Sequence, residues 1–246
     1  MFARLVLNRP VATISAVIVC AVALSLGFWQ LDRKQQKIDL AQEIAKKELA
    51  APLLANVKAW SLGEVKHHRM IARGSYLTEK TVWLENRPHP QGRDPTTGIT
   101  TGFYVMTPLL LENTQTILWV NRGWAPRDGM SREKLPKIST PKGLVDVEGL
   151  VFEHPARVMS MGISEDSAET QKIQQNLDIP KQSQLLGMGY LPFILREISG
   201  SEKDGLHRNW PPIQSGVEKH QGYAFQWFSL AVLTIMFWLF TGILRK

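Results

Sequence analysis

Residues 11–28 read VATISAVIVCAVALSLGF and carry no charged side chain. Charged residues bound this run on both sides, with Arg9 before it and Asp32 after it. As a helix the run extends roughly 27 Å, close to the hydrocarbon thickness of a bilayer. The stretch therefore predicts a helix that crosses a membrane near the start of the sequence.

A cleaved signal peptide is the alternative for this segment, because residues 21–23 read AVA, a small-residue pattern typical of cleavage sites. Against that alternative, the apolar run continues to Phe28 and is followed by Trp29, a residue type common at membrane interfaces. The sequence therefore favours an uncut transmembrane helix over residues 11–29, preceded by a tail of residues 1–10.

A second uncharged run, AFQWFSLAVLTIMFWLFTGIL, covers residues 224–244 and extends roughly 31 Å as a helix. Its length and lack of charge disfavour the alternative of a buried core helix. We predict a second transmembrane helix over residues 223–244, followed by a tail of residues 245–246. All 22 acidic residues lie between the two runs, which is the partition expected if only the middle of the chain is in water.

The middle of the chain divides into a helical stalk and a β-rich domain. Residues 33–49 contain neither Gly nor Pro, so the first helix should continue into water as a stalk over residues 30–51, until Pro52 ends it. In the remaining domain, residues 52–222, short β-rich runs alternate with turn residues. These runs are residues 70–77, 81–85, 102–111, 116–121, 144–152 and 190–198.

One short helix interrupts the strands. Asp178 is a favourable N-cap, and Pro180 fits the first turn of a helix that follows it. The predicted fold class is therefore an α+β membrane protein, in which two transmembrane helices flank one β-rich, mainly antiparallel extracytoplasmic domain with a short helix.

The orientation follows from the flanking charges. Both tails carry basic residues without acids, which the positive-inside rule assigns to the cytoplasm. Four basic residues on the other side of the helices balance them in number, but acids accompany those four, and a long domain is translocated largely regardless of its charge. We expect a multi-pass protein of the cell (inner) membrane with both termini cytoplasmic and the large domain periplasmic.

Composition excludes several functions. Four of the charges behind the net +7 lie in the tails, leaving about +3 for the rest, too little to indicate nucleic-acid binding. The one cysteine, Cys20, lies within the first apolar run, so the chain cannot build an internal disulfide or a thiolate metal site. No hydrolase or nucleotide-binding motif occurs, so the sequence gives no support to a hydrolase or a nucleotide-dependent enzyme.

His220 differs from the other five histidines, which we interpret as surface residues. It lies about one turn before the second apolar run, where helical spacing places it on one face with Tyr223 and Trp227. The first helix emerges at the same membrane level with Trp29 and Arg33, next to Gln30. An imidazole, several aromatic rings and a guanidinium meeting there would form a site, although an aromatic belt with a solvated histidine is the simpler alternative.

Four motifs, in this order, resemble the Surfeit locus protein one family of cytochrome oxidase assembly factors. They read LGFWQLDR at residues 26–33, GFYVMTPL at 102–109, VNRGWAP at 120–126 and HQGYAFQWF at 220–228. The resemblance covers nearly the whole chain. Within the third motif we expect a hairpin turn at Asn121-Arg122-Gly123-Trp124, with Gly123 at positive φ and Arg122 in a structural role.

The resemblance implies a non-enzymatic factor in the maturation of haem–copper terminal oxidases, one that binds haem a with His220 as an axial ligand of the iron. Ring stacking on Trp29, Tyr223 and Trp227 and a propionate contact from Arg33 suit the same cofactor. The implied partners are membrane lipid, the catalytic subunit of the oxidase and the enzyme of haem a synthesis. A cofactor-free scaffold that docks an oxidase subunit stays open, as does an unrelated envelope enzyme.

Overall fold

The apolar runs at both ends of the chain form long helices in the computed structural model, which describes residues 9–95, 97–129, 131, 134–158, 172–211 and 217–243. The helices are α1 (Pro10–Leu49), α2 (Leu62–Val65), α3 (Ile179–Leu185) and α4 (Val217–Ile243). The helix α1 continues without a break through the predicted stalk. By length and composition α1 and α4 are both able to cross a membrane. Where the membrane span of α1 ends stays a prediction.

The chain separates into two compact units, described here one at a time: residues 1–43 with 213–246, and residues 44–212. In the first unit α1 and α4 pack antiparallel. Trp238 Nε1 donates to Thr13 Oγ1 (3.1 Å) at one end of the pair, and Phe28 meets Phe228 edge-to-face (5.3 Å) towards the other end. Small residues line the seam between the helices, among them buried Ala23, Gly27, Ala224 and Ala231. Small side chains let two helix backbones approach closely, which favours van der Waals packing between helices in a membrane.

The second unit contains eight strands. They are β1 (Leu53–Leu54), β2 (Arg69–Tyr76), β3 (Val82–Pro88), β4 (Thr101–Leu111), β5 (Thr116–Pro126), β6 (Leu144–Phe152), β7 (Ile173–Gln174) and β8 (Gly189–Glu197). Five of the strands pair in the cyclic order β2-β6-β8-β5-β4. The pairing of Gly74 on β2 with Leu111 on β4 closes this ring into a barrel.

The long strand β4 makes the closure possible, because two partners share one of its edges. Its first half pairs with β3, from Thr101 to Met106, and its last residues pair with β2. Most pairings are antiparallel as predicted, whereas β5 runs parallel to β8. The sequence analysis did not predict the closed barrel.

Alternation along β5 builds two apolar layers. Leu118 and Val120 face the barrel interior, while Ile117 and Trp119 pack outward against α3. Trp119 Nε1 donates to Ser183 Oγ of α3 (3.1 Å). The predicted cap is present, since Asp178 Oδ1 accepts from the backbone of Lys181 (3.0 Å) and α3 begins at Ile179. The helix therefore covers the outer face of the first half of β5, and all of β5 between its end residues is buried.

The predicted hairpin turn at Asn121-Arg122-Gly123-Trp124 is wrong, because β5 continues through it to Pro126. The motif forms a β-bulge instead, in which Arg122 and Gly123 together oppose Val105 of β4. Gly123 has φ 147°, so the predicted positive φ is confirmed although its setting differs. A Cβ at this position would lie 2.9 Å from Leu206 Cβ, because the chain crosses the bulge there.

A buried ion cluster ties the segment after β8 to the barrel. Arg122, 1% exposed, donates to Thr140 Oγ1 and to the carbonyl of Ser139, both at 2.7 Å. Its guanidinium lies 3.8 Å from Asp204 Oδ2. Arg208 binds the same Asp204 through two hydrogen bonds and contacts Glu197. The structural role predicted for Arg122 is therefore this cluster rather than a turn.

The carboxyl of Glu197 is the titratable member of the cluster near neutral pH. Burial raises its pKa from 4.5 to about 7, against the opposite influence of Arg208 and Arg122. The unfolded chain would ionise this carboxyl near pH 4.5, whereas the folded protein keeps its proton up to about pH 7. The contribution of Glu197 to stability is therefore complete below pH 4.5 and is lost as the pH rises to 7.

Replacing Gly123 by Val should sharply reduce the yield of folded protein. A β-branched side chain is strained at this φ and would also collide with Leu206 and with the carbonyl oxygen of His207, 3.1 Å from the added Cβ. The measurement is the amount of monodisperse full-length protein in detergent and its unfolding midpoint. The matched control is Gly129→Val, since no atom lies within 4 Å of a Cβ added at Gly129. Equal stability of the two variants would contradict the strain at the bulge.

Replacing Glu197 by Gln should change the pH dependence of stability. Wild-type protein should lose stability relative to the variant as the pH rises from 5 to 8, because only the wild type has to ionise a buried carboxyl. Unfolding midpoints measured at half-unit pH steps test this difference. Glu153→Gln serves as the control, because Glu153 is exposed and its pKa is lowered by its hydrogen bond to Lys66. A constant difference between wild type and Glu197→Gln would refute the assignment.

Candidate functional site

The imidazole of His220 faces α1 from the first turn of α4, which begins at Val217. Its Nδ1 atom lies 2.7 Å from Oε1 of Gln30. The contact joins residues 190 positions apart. It lies towards one end of the seam between the two helices, next to small and aromatic residues, and His220 itself is half-buried.

Small residues position the two partners of this contact. Gly27, one turn before Gln30, leaves space for the ring of Phe228, whose nearest atom would lie 2.6 Å from an added Cβ. On the other helix, Ala224 is buried one turn after His220. Because the two backbones approach closely, the amide of Gln30 reaches the imidazole of His220. Gln30 is itself buried.

Trp29 and Arg33 form a separate pair on α1. The guanidinium carbon of Arg33 lies 5.6 Å from the centre of the Trp29 ring, one helical turn away. Arg33 also donates to Gln36 Oε1 (2.8 Å), and Gln36 in turn donates to Asp32. Both members of the pair are exposed, Trp29 by 48% of its surface. The guanidinium is thus stacked on an aromatic ring and keeps donors available at the surface.

On α4 the aromatic residues differ in exposure. Tyr223 is 52% exposed, and Trp227 is half-buried. Both keep the helical spacing from His220 that the sequence predicted. The partner that the structure brings to His220 is Gln30, which the sequence analysis named only as a neighbour of Trp29 and Arg33. The available signal was an amide at the polar end of an apolar run, on the same helix face as Gly27.

The contact with Gln30 bears on which ring nitrogen of His220 is able to bind a metal. A carbonyl oxygen only accepts, so the 2.7 Å contact is a hydrogen bond when Nδ1 carries the proton. In a neutral imidazole the other nitrogen, Nε2, then has a free lone pair and is a potential metal ligand. Among the described residues no three His, Cys, Asp or Glu side chains form a metal-binding group. A single imidazole suits a metal whose other ligands come from elsewhere, as in a porphyrin.

A pocket of about 290 Å³ in the barrel domain is the other candidate site. Tyr76 and Arg122 line it, together with Glu197 and Asp204 of the ion cluster. The Tyr76 hydroxyl and Arg122 Nε are both buried, and burial raises the pKa of Tyr76. The terminal nitrogens of Arg122 are already bound within the protein. The charged groups of this pocket therefore serve the fold.

The interpretation of His89 as a surface residue is wrong. Its ring is 4% exposed and packs edge-to-face on Trp124 at 4.7 Å and on His207 at 5.4 Å. Nδ1 of His89 accepts from the backbone of Gln91 (3.1 Å). Burial lowers the pKa of His89, which favours the neutral ring. A loop rich in Pro and Gly gave no signal of this burial, because the covering residues come from distant parts of the chain.

Comparison with known proteins covers both the helices and the barrel domain. A model of the SURF1 family matches residues 17–232. The chain is 24% identical to a SURF1-like protein of Caenorhabditis elegans over 241 residues, which cover 88% of this chain and 69% of that protein. It is 21% identical to Surfeit locus protein 1 of Xenopus tropicalis over 229 residues, 90% of this chain and 73% of that one. The match includes Gln30, His220 and the barrel, and the chain therefore belongs to the SURF1 family.

Proposed function

We propose that this protein is a membrane-anchored assembly factor for a haem–copper terminal oxidase, and that it holds haem a at the outer membrane interface for the catalytic subunit. The SURF1 family is generally known for cytochrome oxidase assembly. The observation that carries the haem part is the contact of His220 Nδ1 with Gln30, which leaves Nε2 as a potential ligand at the end of two apolar helices.

The surface of the two helices supports a membrane location. Large apolar side chains point away from the helix pair, with Val17 62%, Phe225 74% and Phe237 70% exposed. Such surface is costly in water and favourable in lipid. We therefore infer that membrane lipid surrounds both helices.

The antiparallel pairing supports the orientation. Arg9 Nη2 donates to Thr241 Oγ1 (3.2 Å) at one end of the pair, and Gln30 meets His220 at the other. About 30 Å of helix separates the two ends, which equals the hydrocarbon thickness of a bilayer. Arg9 and Thr241 thus lie on one side of the proposed membrane, and His220 lies at the other side, which we assign to the periplasm.

A haem with one protein ligand would use the residues near this end of both helices. His220 Nε2 would bind the iron, and the rings of Trp29, Tyr223 and Trp227 offer apolar faces to the macrocycle. Arg33 would bind a propionate, because its guanidinium is exposed and a carboxylate is its natural partner. The apolar tail of haem a would lie along the lipid-facing surface of the helices. The haem would supply the electron-transfer and oxygen chemistry of the oxidase only after it leaves this protein.

Two partners follow from this function: the catalytic subunit that receives the haem and the enzyme of haem a synthesis that provides it. The competing function is a cofactor-free scaffold whose barrel domain docks an oxidase subunit. The ion cluster supports the scaffold function to the extent that it makes the barrel rigid. Whether His220 binds haem distinguishes the haem-holding function from the cofactor-free scaffold.

Reporter fusions test the orientation. A fusion at either end of the chain should be active only as a cytoplasmic reporter, and one inserted in residues 88–95 only as an external reporter. The physical reason is that the acid-free basic flanks at both ends resist translocation. A cytoplasmic signal from residues 88–95 would reverse the proposed topology.

Replacing His220 by Ala should abolish or strongly reduce haem a binding while membrane insertion and the barrel domain remain intact. The side chain is half-buried and outside the barrel, so its loss leaves the barrel core unchanged. The measurement is the Soret absorbance of equal amounts of protein purified from cells that make haem a. Arg33→Ala should reduce the absorbance more mildly, because it removes a propionate contact and leaves the iron ligand in place.

The matched control is His154→Ala, an exposed histidine of the barrel domain. It should retain the full wild-type spectrum. If His220→Ala also retained it, haem would bind elsewhere or adventitiously, and the scaffold function would become the better proposal.

A further inference from the structure

We propose that Gln30 is a positioning residue that holds His220 in the tautomer with a proton on Nδ1 and so presents Nε2 to the iron. This inference rests on the proposed haem function. It assigns a defined role to a side chain on the opposite helix from the ligand. Its first test is made on the haem-free protein, so that its outcome is separate from that of haem binding.

The geometry of the contact supports a specific hydrogen bond. Oε1 of Gln30 lies 2.7 Å from Nδ1, within the normal range for an N–H donor and a carbonyl acceptor. Gln30 is 9% exposed, so little water competes for its amide. A buried amide without a partner would destabilise the seam, whereas the imidazole satisfies its oxygen.

The tautomer decides which nitrogen is able to bind iron. A neutral imidazole has one N–H, and a ring nitrogen that carries hydrogen has no lone pair for a metal. Histidine ligands of metals commonly donate their second N–H to a carbonyl or carboxylate, which orients the ring. An amide gives this orientation without the charge of a carboxylate, which would be expensive beside an apolar seam.

Packing alone does not account for an amide at this position. The neighbouring seam residues on α1, Ala23 and Gly27, are apolar and small, and they allow the helices to approach. A purely structural residue at position 30 would be replaceable by Leu of similar size. The amide therefore distinguishes a residue that orients His220 from one that only fills space between the helices.

The test uses full-length protein with ¹⁵N-labelled histidine in lipid nanodiscs, without haem. The His220 signals are assigned by their loss in His220→Ala. In wild type, the ¹⁵N shifts should show a protonated Nδ1 and an unprotonated Nε2 at neutral pH. Gln30→Leu should remove this preference, and Gln30→Glu should retain it because the acceptor oxygen is kept. Gln35→Leu is the matched control, since Gln35 lies on the same helix, is exposed and bonds Asp39.

The second measurement is haem a affinity. Gln30→Leu should weaken it by about 10- to 100-fold, the usual effect of losing a hydrogen-bond partner of a metal ligand. Gln35→Leu should bind as wild type, and Gln30→Glu should bind far more tightly than Gln30→Leu. Unfolding midpoints of the haem-free variants establish whether the helix pair is intact.

Two results would overturn the positioning role. One is a wild-type His220 with its proton on Nε2, which would mean that the amide donates rather than accepts. The other is an unchanged tautomer in Gln30→Leu. If the tautomer responds as expected but haem a binds equally well to His220→Ala, the haem function fails while the hydrogen bond itself is established.

Discussion

The guanidinium of Arg122 is buried in the barrel wall and needs hydrogen bonds and an opposite charge around it. Much of the second unit is arranged to supply them. A charge removed from water is tolerated only when hydrogen bonds and opposite charge surround it. Ser139 and Thr140 supply the hydrogen bonds, and Asp204 supplies the charge. Ser139 and Thr140 lie between β5 and β6, and Asp204 lies after β8, so a single buried group holds both segments against the barrel. The bulge at Gly123 is part of the same arrangement, because a glycine without a side chain leaves room for Leu206 beside β5.

The sequence predicted the elements of the barrel better than their connections. The runs at residues 102–111 and 144–152 agree with β4 and β6 to within one residue, because alternating side chains and turn residues are local signals. Barrel closure depends on the pairing of β2 with β4, which only the folded chain brings together. The extension of β5 was missed for a related reason. Asn and Gly favour a turn locally, but two neighbouring strands hold the bulge in the sheet.

The candidate site divides in the same way. The sequence places His220 about one turn before the second apolar run, and the structure has it in the first turn of α4. Which residue of α1 faces it depends on the rotation of α1 about its own axis, and successive residues differ by about 100°. Trp29, Gln30 and Arg33 are all acceptable at a membrane interface, so composition does not choose among them. The packing of the two helices determines the partner. Phe228 fits against Gly27, and Gln30 lies on the same helix face as Gly27.

The arrangement of the helix pair also bears on why an assembly factor would bind its cargo in this way. Haem held by two protein ligands in a closed pocket is retained, as a permanent cofactor should be. Here the described residues offer one imidazole that is half-buried, beside Tyr223 with half of its surface exposed. In the proposed function, one iron–imidazole bond and stacking on exposed rings would leave a face of the haem open to a receiving subunit. Gln30 would orient the imidazole without adding charge, and transfer would require the loss of only one iron–protein bond. A site at the edge of two lipid-facing helices would keep the apolar tail of haem a in the membrane throughout, so that transfer to an integral membrane subunit would never expose the tail to water.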